Sequence, residues 1–178
     1  TNTAIRYLEN KSKSIRIGKD MTERRNAMPY ILIAGIVFGS DFWIKHHMDK
    51  KYARYVVHPG RRNKILIEKY YNRGAALNFL AKKPRVMRAL HTVIMFFVGV
   101  LYYFLLRMPG HRLSKTGASL LVGGGLNNLL DRYTKGYVVD YVKFNFGPKW
   151  LRGIIFNISD FCIFIGAFLS VVGSEVSS

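Results

Sequence analysis

The hydrophobic positions of this chain gather into long blocks rather than repeating with a helical or strand period, and that distribution sets its class. Four blocks, residues 28–47, 90–108, 113–130 and 151–173, approach the roughly 20 residues an α-helix needs to cross a hydrocarbon core. They predict four transmembrane helices. Between the first two, the run ILIEKYYN (65–72) is rich in strand formers, and Gly74, Ala75 and Ala76 after it allow close backbone approach. This predicts a small extramembrane β-platform in the first outer loop, with Asn72 near its turn; a surface hairpin whose Asn bonds only its own backbone fits the same residues. Residues 137–146 alternate with period two, which sets Asp140 in register with Val138, Val142, Phe144 and Phe146 on the apolar side. The expected fold is an all-α membrane protein of four transmembrane helices carrying that platform. A basic N-terminal tail (1–27), solvated or lying among headgroups, precedes the membrane domain (28–173), and a short tail (174–178) follows.

Polar residues inside the blocks are the exceptions that suggest chemistry. Asp41 and Lys45 lie four residues apart, acid first, and so pair favourably on a helix. A lone charge at mid-bilayer costs about 2.5–3.5 kcal/mol, so pairing near the aqueous end is expected. Either Lys45 reaches the rim with Asp41 neutralising it, or Asp41 faces the same interior as the later acids. In the third block Gly117, Gly124, Asn128 and Asp131 make one small-then-polar face, suited to close helix contact. In the last block Asn157 and Asp160 repeat the Asn-x-x-Asp pattern, in helical spacing with Gly153, Phe164, Ala167 and Val171. Intramembrane acids mark a functional interior. With Asp140 they are expected to converge on one cleft, where burial raises a carboxyl pKa and two carboxylates can serve as acid and base around a water. The second block has ionisable residues only at its ends, His91 and Arg107, and reads as a support helix.

Composition narrows this further. The 178 residues carry 28 Lys and Arg against 10 Asp and Glu, a formal charge of +18. In a soluble chain that balance would indicate nucleic acid, but here the charge belongs to the segments between apolar blocks, and no nucleic acid is expected. The single cysteine, Cys162, excludes a disulfide framework. Neither an HExxH pair, a Cys/His ligand spacing nor a GxSxG run occurs, which argues against metallopeptidase and serine chemistry; no metal and no organic cofactor is expected.

Four motifs, taken in order, resemble those of the lipoprotein signal peptidase (signal peptidase II) family: DFWIK (41–45), NRGAA (72–76), NLLDR with VVDY (128–141) and FNISD (156–160). The resemblance implies a membrane aspartic endopeptidase that cleaves the signal peptide of a diacylglyceryl-modified prolipoprotein before its lipidated cysteine. It implies Asp140 and Asp160 as the catalytic dyad, with Asp41, Lys45, Asn72, Arg73, Asn128, Asp131, Arg132 and Asn157 binding substrate or bracing the site. Phe42, Leu77, Asn127 and Ser159 depart from the family's usual residues, and none of them is a catalytic acid. The implied location is the bacterial cytoplasmic membrane, both termini cytoplasmic and the active site outside. That orientation puts more Lys and Arg in the outer loops than inside, against the positive-inside tendency. Expected partners are therefore lipid-modified prolipoproteins and membrane lipids, with anionic headgroups at the basic loops; the chain is expected to be a monomer. The alternative is a non-catalytic lipoprotein- or lipid-binding four-helix membrane protein whose acids only line a polar interior.

Overall fold

Large apolar side chains face outward along three helices of the computed structural model, which describes residues 2–60, 63–75 and 79–176. Ahead of Asn26 only the side chains of Arg6 and Lys11 are described, and both are exposed. The helices are α1 (Asn2–Lys51), α2 (Pro84–Arg107), α3 (Arg112–Thr134), α4 (Lys149–Arg152) and α5 (Ile158–Val176). The strands are β1 (Val57–Pro59), β2 (Ile65–Asn72), β3 (Val138–Phe144) and β4 (Ile155–Phe156). Among the described residues, three helices are long and apolar enough to cross a membrane: Asn26–Lys51 within α1, α2 and α5. Ile36, Trp43, Phe96, Leu101 and Phe168 on these helices are each more than half exposed, the arrangement lipid would cover.

The inner helix is α3, which packs against α5, α1 and α2 and buries glycines, serines, asparagines and Asp131 instead of large apolar groups. Small residues set the approach. A Cβ on Gly117 would lie 2.6 Å from the Gly166 carbonyl oxygen, and one on Gly166 would lie 2.5 Å from that of Gly117, so α3 and α5 touch backbone to backbone there. Gly124 meets the Ser159 carbonyl in the same way, which realises the small face predicted for α3. Gly117→Leu or Gly166→Leu is therefore expected to lower the thermal unfolding midpoint of the detergent-purified protein, by an overpacking cost of about 1–3 kcal/mol or more.

The expected platform is a four-stranded antiparallel sheet in the order β1-β2-β3-β4. This corrects two expectations. The chain is mostly helical with a small sheet, as expected, but the sheet is not confined to the first loop, because β3 and β4 come from the segment between α3 and α5, and three helices rather than four are long and apolar enough to cross a membrane among the described residues. The register pairs Tyr70 with Asp140, Tyr71 with Val139 and Asn72 with Val138, with an irregularity between Ile67 and Tyr70. Strict alternation also fails in β3, where Val138, Val139, Asp140 and Tyr141 are all buried: this end of the strand is covered on both faces.

Residues 2–27 are helical, part of the unbroken α1, which carries Pro29 inside it. One boundary differs as well. The last apolar block is not one helix: α4, a turn and β4 occupy its start, and α5 begins only at Ile158 after the cap residue Asn157. Ala76 and Leu77 lie outside the described residues, as do Ser177 and Ser178 of the short tail.

Candidate active site

Asp140 and Asp160 reach one cavity from different kinds of element. Strand β3 carries Asp140, which is 1% exposed, while Asp160 is in the first turn of α5 and half-buried. Asn157 ties them together. Its side-chain Nδ2 donates to Asp140 Oδ1 at 2.6 Å, and its backbone N–H donates to Asp160 Oδ2 at 3.0 Å. In return Asn157 Oδ1 accepts the Asp160 backbone N–H at 2.9 Å, which makes the pair a reciprocal capping box. The Asn-x-x-Asp spacing at 157–160 is thus a helix cap, whereas Asn128 and Asp131 lie within α3; the two motifs look alike in sequence and are built differently.

Each acid has one more amide donor. Asn72 Nδ2 donates to Asp140 Oδ2 at 3.0 Å, while its Oδ1 accepts the Gly74 backbone N–H at 3.0 Å, so Asn72 both shapes its own turn and holds the acid. Asn128 Nδ2 donates to Asp160 Oδ1 at 2.9 Å. The cavity, of about 190 Å³, is lined on its polar side by Asn72, Asn128, Arg132, Asp140 and Asp160. Its apolar side comes from Met87 and Ile94 of α2 and from Ile163 and Phe164 of α5, and His91 of α2 also lines it. Helix α2 is therefore part of the site and not only a support. Burial, and then the neighbouring Asp160 charge, push the Asp140 carboxyl up from 3.8 to about 8, against the pull of the Asn72 and Asn157 amides and the Lys45 charge.

Beneath the dyad lies a second layer. Lys45, 1% exposed, does not reach the aqueous rim; its Nζ forms ion pairs with Asp41 Oδ2 at 2.9 Å and Asp131 Oδ2 at 3.1 Å, and donates to Asn127 and Asn128 Oδ1 at 2.7 Å each. Asp41, fully buried, accepts further bonds from the Tyr141 hydroxyl at 2.6 Å and from the Ser159 hydroxyl. The Tyr141 hydroxyl has its pKa raised by burial and then by the Asp41 charge. Asp131 also accepts the backbone N–H of Val139 at 3.3 Å, next to Asp140, and pairs with Lys135 at 3.0 Å. This layer joins α1, α3, β3 and α5 and fixes the backbones that carry both acids.

Arg132 is 8% exposed and donates to the Asn128 carbonyl at 3.2 Å and the Gly74 carbonyl at 2.6 Å, binding α3 to the turn after β2. Arg73, by contrast, is exposed and does not line the dyad cavity. Sequence reasoning did not assign roles to Tyr141, Asn127 or Ser159 here. The signal for Asn127 and Ser159 was their departure from the family's usual residues, and both turn out to bond the Asp41–Lys45 pair. Phe42, a third departure, is 49% exposed on α1.

The model of the family described as signal peptidase (SPase) II matches residues 33–175. The chain belongs to the signal peptidase II family. Its similarity extends to lipoprotein signal peptidases of Mesorhizobium japonicum, 31% identical with 83% of this chain and 85% of that one covered, and of Paraburkholderia phytofirmans, 34% identical with 81% and 83% covered. Two solved structures of bacterial membrane enzymes, obtained by the in meso method at 2.3 and 1.9 Å resolution, share the fold. The first has a TM-score of 0.72 at 24% identity over 83% of this chain and 87% of that one; the second has 0.68 at 26% over 81% and 90%. Both candidate acids and their amide donors Asn72, Asn128 and Asn157 fall within the residues this signal peptidase II match covers.

Proposed function

We propose that this protein is a membrane aspartic endopeptidase that removes the signal peptide of diacylglyceryl-modified prolipoproteins just before the lipidated cysteine, with Asp140 and Asp160 as its catalytic dyad. The observation that carries the reading is the pair of carboxyl groups from separate segments, lining one cavity and bonded to the same residue, Asn157. Two such acids are not both ionised easily, so they share a proton. Asp160 holds the negative charge, favoured by the backbone N–H of Asn157 and by its place in the first turn of α5, where the helix dipole stabilises an anion. Asp140 holds the proton. In the reaction Asp160 takes a proton from water as its oxygen adds to the scissile carbonyl carbon, and Asp140 gives its proton to the carbonyl oxygen. The tetrahedral adduct then collapses: the C–N bond breaks, the departing nitrogen takes the proton gained by Asp160, and one hydroxyl of the adduct returns its proton to Asp140 as the C=O bond re-forms.

Several features support a substrate that arrives from the bilayer. Ile94 and Phe164, on the apolar side of the cavity, are 48% and 60% exposed, so the cavity borders the surface that lipid covers. In this reading α3 is the fourth crossing: its 23 residues span about 34 Å. Both termini then lie in the cytoplasm of a bacterial cell, the dyad and sheet lie outside, and the chain works as a monomer. Asn72, Asn128 and Asn157 orient the acids, while the layer of Asp41, Lys45, Asp131 and Arg132 braces them. Arg73 stands at the rim.

The direct test is incubation of the purified protein with a lipid-modified prolipoprotein, reading signal-peptide release by mass; no release by a folded preparation would overturn the assignment. A pH profile tests the proton's location. A carboxyl held up at about 8 keeps its proton at neutral pH, so cleavage is expected to persist through neutrality and to fall as pH rises past about 8. The folded state also holds a proton that the unfolded chain releases above 3.8, so stability is expected to decline between 3.8 and about 8 as pH rises. An activity limb that begins to fall well below neutrality would contradict the assigned proton.

A further inference from the structure

Beside the dyad cavity lies a second one of about 350 Å³ that the proposed reaction does not use, lined by Arg73, Arg85, Arg88, Arg132, Lys135 and Tyr137 among others. It has five cations in its lining and no carboxylate. Lys135 is answered by Asp49 and Asp131, each at 3.0 Å, but Arg73, Arg85 and Arg88 form no ion pair among the described residues. Arg132 lines both cavities; it is 8% exposed, and its Nε is buried with no hydrogen-bond partner among the described residues. A buried guanidinium N–H left open beside a cationic hollow lacks an acceptor oxygen. The same hollow includes Pro84, where the 24-residue α2 begins without a side-chain cap and without an acid in its first turn. Its free backbone N–H groups add to the positive potential.

We propose that this hollow binds the phosphate headgroup of an anionic phospholipid in the leaflet on the dyad's side. Lipid is favoured over a dissolved anion by what lies below the charges. Val86, Leu90, Val93 and Phe97 of α2 are 51%, 40%, 53% and 60% exposed, and their spacing places them on one helix face, a track for acyl chains that starts at the cavity. Basic hollows between membrane helices recognise headgroups by this combination. The site gives the excess of basic residues in the loops a specific occupant, and through Arg132 it sets that lipid against the wall of the dyad cavity. The inference goes beyond the peptidase assignment and is read without cleavage.

The test is native mass spectrometry of the delipidated full-length protein titrated with phosphatidylglycerol or phosphatidylcholine, alongside Arg85→Gln and the double variant Arg85→Gln/Arg88→Gln. The expected result is a retained phosphatidylglycerol adduct, at least tenfold weaker retention of phosphatidylcholine, and a tenfold or greater loss of the adduct in the double variant at an unchanged melting temperature. Arg85→Gln alone, at an exposed position, is expected to give an intermediate loss. Equal retention of the two lipids by the wild-type chain, or full retention by both variants, would overturn the proposal. Displacement of the lipid by inorganic phosphate in modest excess would assign the hollow to a soluble anion and overturn it too.

Discussion

Asp140→Asn and Asp160→Asn are each expected to abolish release of the signal peptide, a loss of about 10²–10⁴-fold or more, while the protein still inserts and melts near the wild-type temperature. The two halves of that expectation have separate causes. An amide has no proton to give to a carbonyl oxygen and takes none from water, so either change removes half of the exchange. Stability shifts little, because the Asn carbonyl keeps one of the two N–H bonds now made to each acid and the neutral amide carries no charge to bury, which offsets the one N–H donor left facing the new amide nitrogen. Mass detection of the freed peptide and thermal unfolding in detergent check both halves. Wild-type cleavage by either variant would end the dyad assignment, and unfolding of both would show that the acids serve architecture instead.

Lys45→Met is expected to cost about 3–5 kcal/mol of stability, the largest effect of any single change away from the dyad, because it strands Asp41 and Asp131 as buried carboxylates without their shared cation. Asp41→Asn in the same chain should recover part of the loss, since it removes one of the stranded charges. The measurement is again thermal unfolding, and a Lys45→Met protein that melts like wild type would show that water reaches this layer. A second readout separates bracing from electrostatics. The Lys45 charge pulls the Asp140 pKa down, so in any folded Lys45→Met protein the alkaline limb of the cleavage profile should move to higher pH.

How much of this was legible beforehand follows from where each property resides in the chain. Three of the four apolar blocks correspond to helices long and apolar enough to cross a membrane, because transfer to lipid depends on composition, which a sequence states directly. The pairing of Asp41 with Lys45 was legible for the same local reason, four residues being one helical turn. Their depth was not: Lys45 is buried because Asn127, Asn128 and Asp131, more than eighty residues away, supply its acceptors, and nothing near Lys45 signals them. Asn157 was misread as a helix residue because a capping box and a helix face share a three-residue spacing; the distinction lies in its backbone bonds to Asp160. The sheet was assigned to one loop because β2 looks like a strand by itself, whereas its pairing with β3 is a long-range choice. Spacing and alternation brought Asp140 and Asp160 to one expected cleft, and the family motifs then singled them out from the other acids as the dyad.

The pairing of Tyr70 with Asp140 has a bearing on biosynthesis. One acid of the proposed dyad depends on a partner strand made early, and the other on α5, made later, so a ribosome-bound intermediate that still lacks α5 holds half of the pair. Hydrolytic competence waits for that helix, and a chain without it is harmless to the precursors around it.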